Sequence, residues 1–210
     1  MNESKLAAPP TRVSLTVTAT FLGRLCLLTG SGFTVRARLG CSVRQLLCGQ
    51  LGVPTDYLDE RIQTIFLNAS VVDDPDTAIV APGSTLALSA AMPGIAGAML
   101  RKGGRYAPMR SQLSHDCRQT ALPPDCAGEL TIRLFNLLQQ ELGAEFLRRG
   151  IEVPGKAFGD LLWRRPGDTS SGILSADIGG ERVEPIALME MDWANRTLVI
   201  SVLCHDQSAE

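Results

Sequence analysis

Apolar and polar residues alternate from Val13 to Thr20, the period of a strand with one face buried. The apolar-rich run from Leu15 to Leu28 is broken by Arg24 and by threonines, and it reads as strand rather than signal sequence. The turn Thr29-Gly30-Ser31-Gly32 follows, and Phe33, Val35 and Ala37 alternate again, which predicts a hairpin closed by a second strand. Gly40 ends that strand, and Ser42 can cap a helix whose apolar face is Val43, Leu46, Leu47 and Leu51. Gly52 with Pro54 beyond it stops the helix. A polar crossover, Tyr57 to Arg61, leads to a strand from Gln63 to Leu67. A turn-rich link with Asp73, Asp74 and Asp76 then leads to a last strand, Thr85 to Ala90. The order is β-β-α-β-β, with one helix packed on a mixed sheet.

The pattern is written twice. Leu130-Thr131-Ile132-Arg133-Leu134 alternates like Leu15-Thr16-Val17-Thr18-Ala19, and Gly150-Ile151-Glu152-Val153 echoes Gly32-Phe33-Thr34-Val35. Ala157 to Leu162 echoes Ser42 to Leu47, Ile178-Gly179-Gly180 falls where Leu67-Asn68-Ala69 did, and Asn195 to Ser201 echoes Gly83 to Ser89. These five matches keep one order and an offset between 111 and 118 residues. An ordered set of this kind marks an internal duplication.

Two stretches carry a family resemblance. Pro82 to Gly104 reads as a turn, a strand and a tail rich in small residues, with Met92-Pro93-Gly94-Ile95-Ala96-Gly97 after the strand. In the second copy, Arg133-Leu134-Phe135-Asn136-Leu137-Leu138-Gln139-Gln140-Glu141-Leu142-Gly143 runs from a strand into a helical turn. Phe135, Leu138 and Leu142 are spaced to share one face of it. The chain resembles the MoaD/ThiS sulfur-carrier family, which has the ubiquitin-like β-grasp fold. The resemblance implies an α+β protein made of two β-grasp domains. The expected division is a disordered leader at 1–12, one domain at 13–97, a connector at 98–128 and a second domain at 129–205.

The resemblance also implies a function. Such carriers work through a free terminal glycine, which a ubiquitin-activating-like partner enzyme adenylates and which then becomes a thiocarboxylate that donates sulfur. Here Ala98 stands where the last glycine belongs and the chain continues, so a free end requires cleavage after Gly97 or after Gly104. Gly97, Gly103 and Gly104 are the candidate carrier tail; a glycine turn inside a linker is the plain alternative for Gly103-Gly104. The second copy has no Gly-Gly end. The expected protein is therefore non-catalytic, without a cofactor, and acts through protein contacts, either as a carrier after cleavage or as an interaction module that has lost the chemistry.

Composition narrows this picture. The net charge of −2 gives no global case for nucleic acid or membrane partners, and no apolar run is long enough to span a bilayer, so a cytoplasmic location is expected. The segment Met99 to Arg110 carries Arg101, Lys102, Arg105 and Arg110 and no acid. By default it reads as a solvated linker; it can also dock an acidic partner, or the chain's own Asp73, Asp74 and Asp76. Cys26, Cys41, Cys48 and Cys204 read as small buried apolar residues. His115, Cys117 and Cys126 are weak candidate metal ligands, since they lack the close Cys-x-x-Cys pairs of zinc knuckles; Cys117 and Cys126 read rather as exposed connector thiols, or as a disulfide on oxidation.

Overall fold

The computed structural model describes residues 9–90, 94–102, 104, 126–164 and 166–205. In chain order these form β1 (Thr11–Val17), a helix (Ala19–Leu25), a helical turn (Leu28–Ser31), β2 (Phe33–Leu39) and β3 (Cys41–Ser42). Two π-helical segments (Gln45–Gln50, Tyr57–Arg61) lead to β4 (Thr64–Leu67), β5 (Ser70–Val71), β6 (Ile79–Val80), β7 (Thr85–Ser89) and a helix (Gly94–Leu100). The second half contributes β8 (Cys126–Phe135), helices Leu138–Glu141 and Gly143–Arg149, β9 (Ile151–Pro154), and helices Gly155–Arg164 and Pro166–Gly172. It ends with β10 (Ile173–Ile178), β11 (Glu181–Val183), a helix (Ala187–Glu190) and β12 (Thr197–Cys204). The protein is a mixed α+β protein with mixed sheets.

The chain folds into two compact units that do not follow its two halves. The central unit is continuous, Thr29–Gly143. The terminal unit is drawn from both ends, up to Leu28 and from Ala144 onward. The first copy's opening strand, β1, therefore belongs to the terminal unit, and the second copy's opening strand, β8, belongs to the central one. The sequence-based division at 13–97 and 129–205 places each of these strands with its own copy. The compact units place each with the other, and β8 starts at Cys126, inside the expected connector.

In the central unit the strands lie in the order β2-β8-β7-β4-β5. β8 is antiparallel to β2 and parallel to β7, and β4 is antiparallel to both β7 and β5. β3 and β6 form a separate short ladder. Alternation decides the faces. Leu130, Ile132 and Leu134 of β8 are at most 1% exposed, among Phe33, Leu39, Leu46, Leu47, Leu58, Ile65, Leu86 and Leu88. Burying such side chains is worth about 1.5–3 kcal/mol each, so β8 alone carries a large share of this unit's stability. At Gly128 a Cβ would come within 2.9 Å of the Leu39 side chain and 3.3 Å of Pro82, so a larger residue here requires Leu39 to shift. Ser42 and Gln45 exchange side chain to backbone hydrogen bonds of 3.0 and 3.2 Å, a capping box that opens the helical segment expected here.

In the terminal unit the order is β11-β10-β1-β12-β9. β1 is antiparallel to β10 and parallel to β12, and β12 is antiparallel to β9. Val13, Leu15 and Val17 face inward with Ala176, Leu198, Ile200 and Val202. Helix Gly155–Arg164 buries Phe158, Leu161 and Leu162, and Phe158 meets Trp193 edge-on with ring centroids 5.4 Å apart. Gly155 is packed against backbone: an added Cβ would lie 2.2 Å from the Trp193 carbonyl oxygen.

Two expectations about the opening strand are corrected. β1 stops at Val17, because the Thr18 hydroxyl accepts a hydrogen bond from the Phe21 amide at 3.3 Å and caps a helix that buries Phe21 and Leu25. The hairpin expected between Val13–Thr20 and Phe33–Ala37 does not form; β2 pairs with β8 over Phe33↔Ile132, Val35↔Leu130 and Leu39↔Cys126. The physical reason lies in the residue pattern. β1 and β8 share one alternation, so a two-residue period alone does not choose between them as a partner.

Local turns keep the repeat visible. β4 and β5 are joined by Asn68-Ala69, with φ of 51° and 67°, and β10 and β11 by Gly179-Gly180, with φ of 63° and 95°. Both are two-residue hairpins with positive φ at both central residues, the geometry that matches strand twist. Asn68 is held there: its Oδ1 accepts from the Thr85 amide at 2.8 Å and its Nδ2 donates to Ser84 Oγ at 3.3 Å.

Candidate functional site

The segment after β7 is where the sequence places a carrier tail. Gly94, with φ of 78°, opens the helix Gly94–Leu100. Gly97 is buried inside that helix. The chain then returns to the start of β4. The Lys102 amide donates to the Gln63 carbonyl at 2.8 Å, and Arg101 Nε donates to Gln63 Oε1. Lys102 Nζ donates to the Leu58 carbonyl oxygen. Gln63 in turn donates its own amide to the Ser89 carbonyl at 3.0 Å, tying the start of β4 to the end of β7. Burial lowers the pKa of the Lys102 ammonium. Asp59 and Cys48 act the other way, and Arg44 adds to the lowering. Gly104 is half-buried, and its amide donates to the Arg101 carbonyl at 3.1 Å. A thin extended tail is thus replaced, over the described residues 94–102 and 104, by a helix and a hydrogen-bonded return. Gly103, Arg105, Arg110, His115 and Cys117 lie outside the described residues.

Two of the aspartates expected as an internal dock for the basic run, Asp74 and Asp76, are held within their own segment and by Arg44. Arg44 Nε donates to Asp76 at 2.8 Å, while its Nη1 and Nη2 fork onto Asp59 at 3.2 and 2.8 Å. Asp74 accepts from the Asp76 amide at 2.9 Å and from the Thr77 hydroxyl at 3.1 Å, closing an Asx turn. The bidentate fork holds the Asp59 carboxyl below its ordinary range. The bond of the Lys102 ammonium goes to the Leu58 carbonyl.

A cluster that the sequence reading passed over lies on the same unit. Tyr57 and Arg61 are one turn apart on the helical segment read earlier as a polar crossover, and Glu141 comes from helix Leu138–Glu141. Tyr57 donates its hydroxyl to Glu141 Oε2 at 2.5 Å, and Arg61 Nε donates to the same oxygen at 2.9 Å. Arg61 Nη2 donates to Glu141 Oε1, completing a fork. Hydrogen bonds from Arg61 and then from Tyr57 hold the Glu141 carboxyl down to about 2. Burial and the bond to Glu141 raise the Tyr57 phenol. Asp56 and Glu60 complete the rim of a shallow pocket here. The signal for the first two members was their i, i+4 spacing. Nothing in the sequence pattern joined Glu141 to them, because the contact exists only when β8 and its following helix lie in the central unit.

The cysteines divide differently from expectation. Cys26 is buried, and burial pushes its thiol up to about 11. Cys41 and Cys48 are half-buried, and Cys204 is exposed at the end of β12, so the buried apolar reading holds for Cys26 and fails for Cys204. Cys126 sits on β8 with its thiol directed to the Leu39 carbonyl at 3.7 Å. Among the described residues none of the five is in a disulfide.

Compared with known proteins, the chain matches no family model, no curated protein and no solved structure. Among the described residues no helix is long and apolar enough to cross a membrane.

Proposed function

We propose that this is a MoaD/ThiS-like protein of two β-grasp units, located in the cytoplasm, that is not itself an enzyme and acts through protein contacts. It becomes a sulfur carrier only when the chain is cut to a free glycine end. One observation supports the reading above the others. In the central unit β7, the closing strand of the first copy, runs parallel beside β8, the opening strand of the second copy, in mid-sheet, and the Gly94–Gly104 segment follows β7 in the chain. Parallel first and last strands at the centre of the sheet are the β-grasp arrangement, and the segment after the last strand is where a carrier keeps its reactive end. The terminal unit has the same parallel central pair with its members exchanged, so that β12 neighbours β9 and β1 neighbours β10.

Chemistry at Gly104 would use a partner adenylating enzyme to activate the freed carboxylate. The helix at Gly94–Leu100 and the bonds of Lys102 to Gln63 and Leu58 favour the second reading, an interaction module whose tail is folded back on its own unit. Intact mass measurement of the protein from its native cell separates the two. A fragment ending at Gly97 or Gly104, with a form heavier by the difference between sulfur and oxygen, is the carrier result. Full-length protein alone is the module result.

A further inference from the structure

We propose that cutting the chain between β7 and β8 leaves the two pieces bound to each other, because each piece supplies an interior strand of the unit that the other piece mainly builds. The physics of this does not depend on the carrier reading; its biological use does. Hydrolysis of the Gly104–Arg105 bond by a peptidase consumes one water and leaves a carboxylate on Gly104 and an ammonium on Arg105. The N-terminal piece then carries β2 to β7 of the central unit, together with β1. The C-terminal piece carries β9 to β12 of the terminal unit, together with β8.

Neither donated strand is an edge. β8 lies between β2 and β7, and β1 lies between β10 and β12. Its loss would strip hydrogen-bonding partners from both neighbours and open the core over Leu130, Ile132 and Leu134, or over Val13, Leu15 and Val17. The helix after each donated strand packs with the recipient: Arg24 Nη2 donates to the Leu161 carbonyl at 3.3 Å, and Arg61 pairs with Glu141. Two reciprocal exchanges in one complex raise the effective concentration of each for the other. The freed Gly104 end would therefore be presented by a two-chain assembly, and a partner enzyme would meet both pieces together.

The test inserts a specific protease site between residues 104 and 126 of the full-length chain. After cutting, the expected result is a single native species that elutes with the uncut protein and contains both pieces in equal amounts, separating only in denaturant. Pieces that part under native conditions overturn the proposal. A second measurement uses the uncut chain. Leu15→Ala is expected to speed amide exchange over 173–178 and 197–204 while 33–39 keeps its protection. Faster exchange at 33–39 instead, with 173–178 unchanged, overturns the exchange itself. Both readouts stand whether or not a thiocarboxylate is ever found.

Discussion

Ile132 lies directly opposite Phe33, and both are fully buried. The first belongs to the opening strand of the second copy, the second to the hairpin partner expected for the opening strand of the first. That pairing sets β8 beside β2 inside the central unit, while β1 takes an interior place in the terminal unit, so each compact unit holds a strand from the other half of the chain.

The core role of β8 has a measurable size. Ile132→Ala removes a side chain at the centre of the central unit and should cost about 2–5 kcal/mol of its stability. Amide exchange should quicken over 33–39 and 85–89, the strands flanking β8. An effect confined to 197–204 would show that β8 packs with its own copy.

Ala69 holds a φ of 67° without glycine's freedom. Its counterpart in the second copy, Gly180, occupies the matching turn with glycine. Ala69→Gly should stabilise the central unit by about 1 kcal/mol, since the left-handed region costs an L-residue roughly that much. Thermal or denaturant unfolding checks the sign, and a loss of stability would contradict the strained turn.

Glu141 makes stability depend on acid. Its carboxyl is held down to about 2 from an ordinary value of 4.5 by Arg61 and Tyr57. A depressed carboxyl contributes stability that is fully present above its unfolded value and is lost as pH falls through the folded one. The central unit should therefore weaken between about pH 4.5 and 2. Glu141→Gln should flatten that part of the profile and lower stability at neutral pH. Its exposure keeps the effect small, since screened surface pairs are worth about 0–1 kcal/mol.

Lys102 fixes the segment after β7 to Leu58 and Gln63. Lys102→Ala removes the charged bond to a carbonyl, an interaction worth about 1.5–3 kcal/mol when shielded and less at this half-buried position. Limited proteolysis at 94–104 should speed several-fold. Unchanged cleavage would show that the segment is not tied down through this side chain.

Much of the fold was legible from alternation and punctuation. β2, β4 and β7 fall where Phe33-Thr34-Val35, Ile65-Phe66-Leu67 and Thr85-Leu86-Ala87 put them, and the Ser42/Gln45 cap and Gly52 stop bound the helical segment between. The turns at Asn68-Ala69 and Gly179-Gly180, matched in the sequence, are both two-residue hairpins with positive φ. The helix Ala19–Leu25 was hidden by Thr20 and its apolar residues, which suit a strand equally well until Thr18 is seen to cap. Strand partnership was out of reach. Leu15-Thr16-Val17 and Leu130-Thr131-Ile132 present the same face to any sheet, and only three-dimensional packing separates them. The Tyr57–Arg61–Glu141 cluster depends on that partnership and was lost with it. The fold-back of Lys102 onto Leu58 rests on a carbonyl, which no side-chain pattern reveals.

Thr34 and Thr131 are paired across β2 and β8, and Thr131 donates its amide to Ser84 on the other side, so the two side chains meet at a non-hydrogen-bonded position. Such a site suits a disulfide. In the double variant Thr34→Cys, Thr131→Cys, peptide mapping after mild oxidation should find the 34–131 bond within single chains. Thiols at 34 and 131 that stay reduced, or that join only between chains, would contradict the strand exchange.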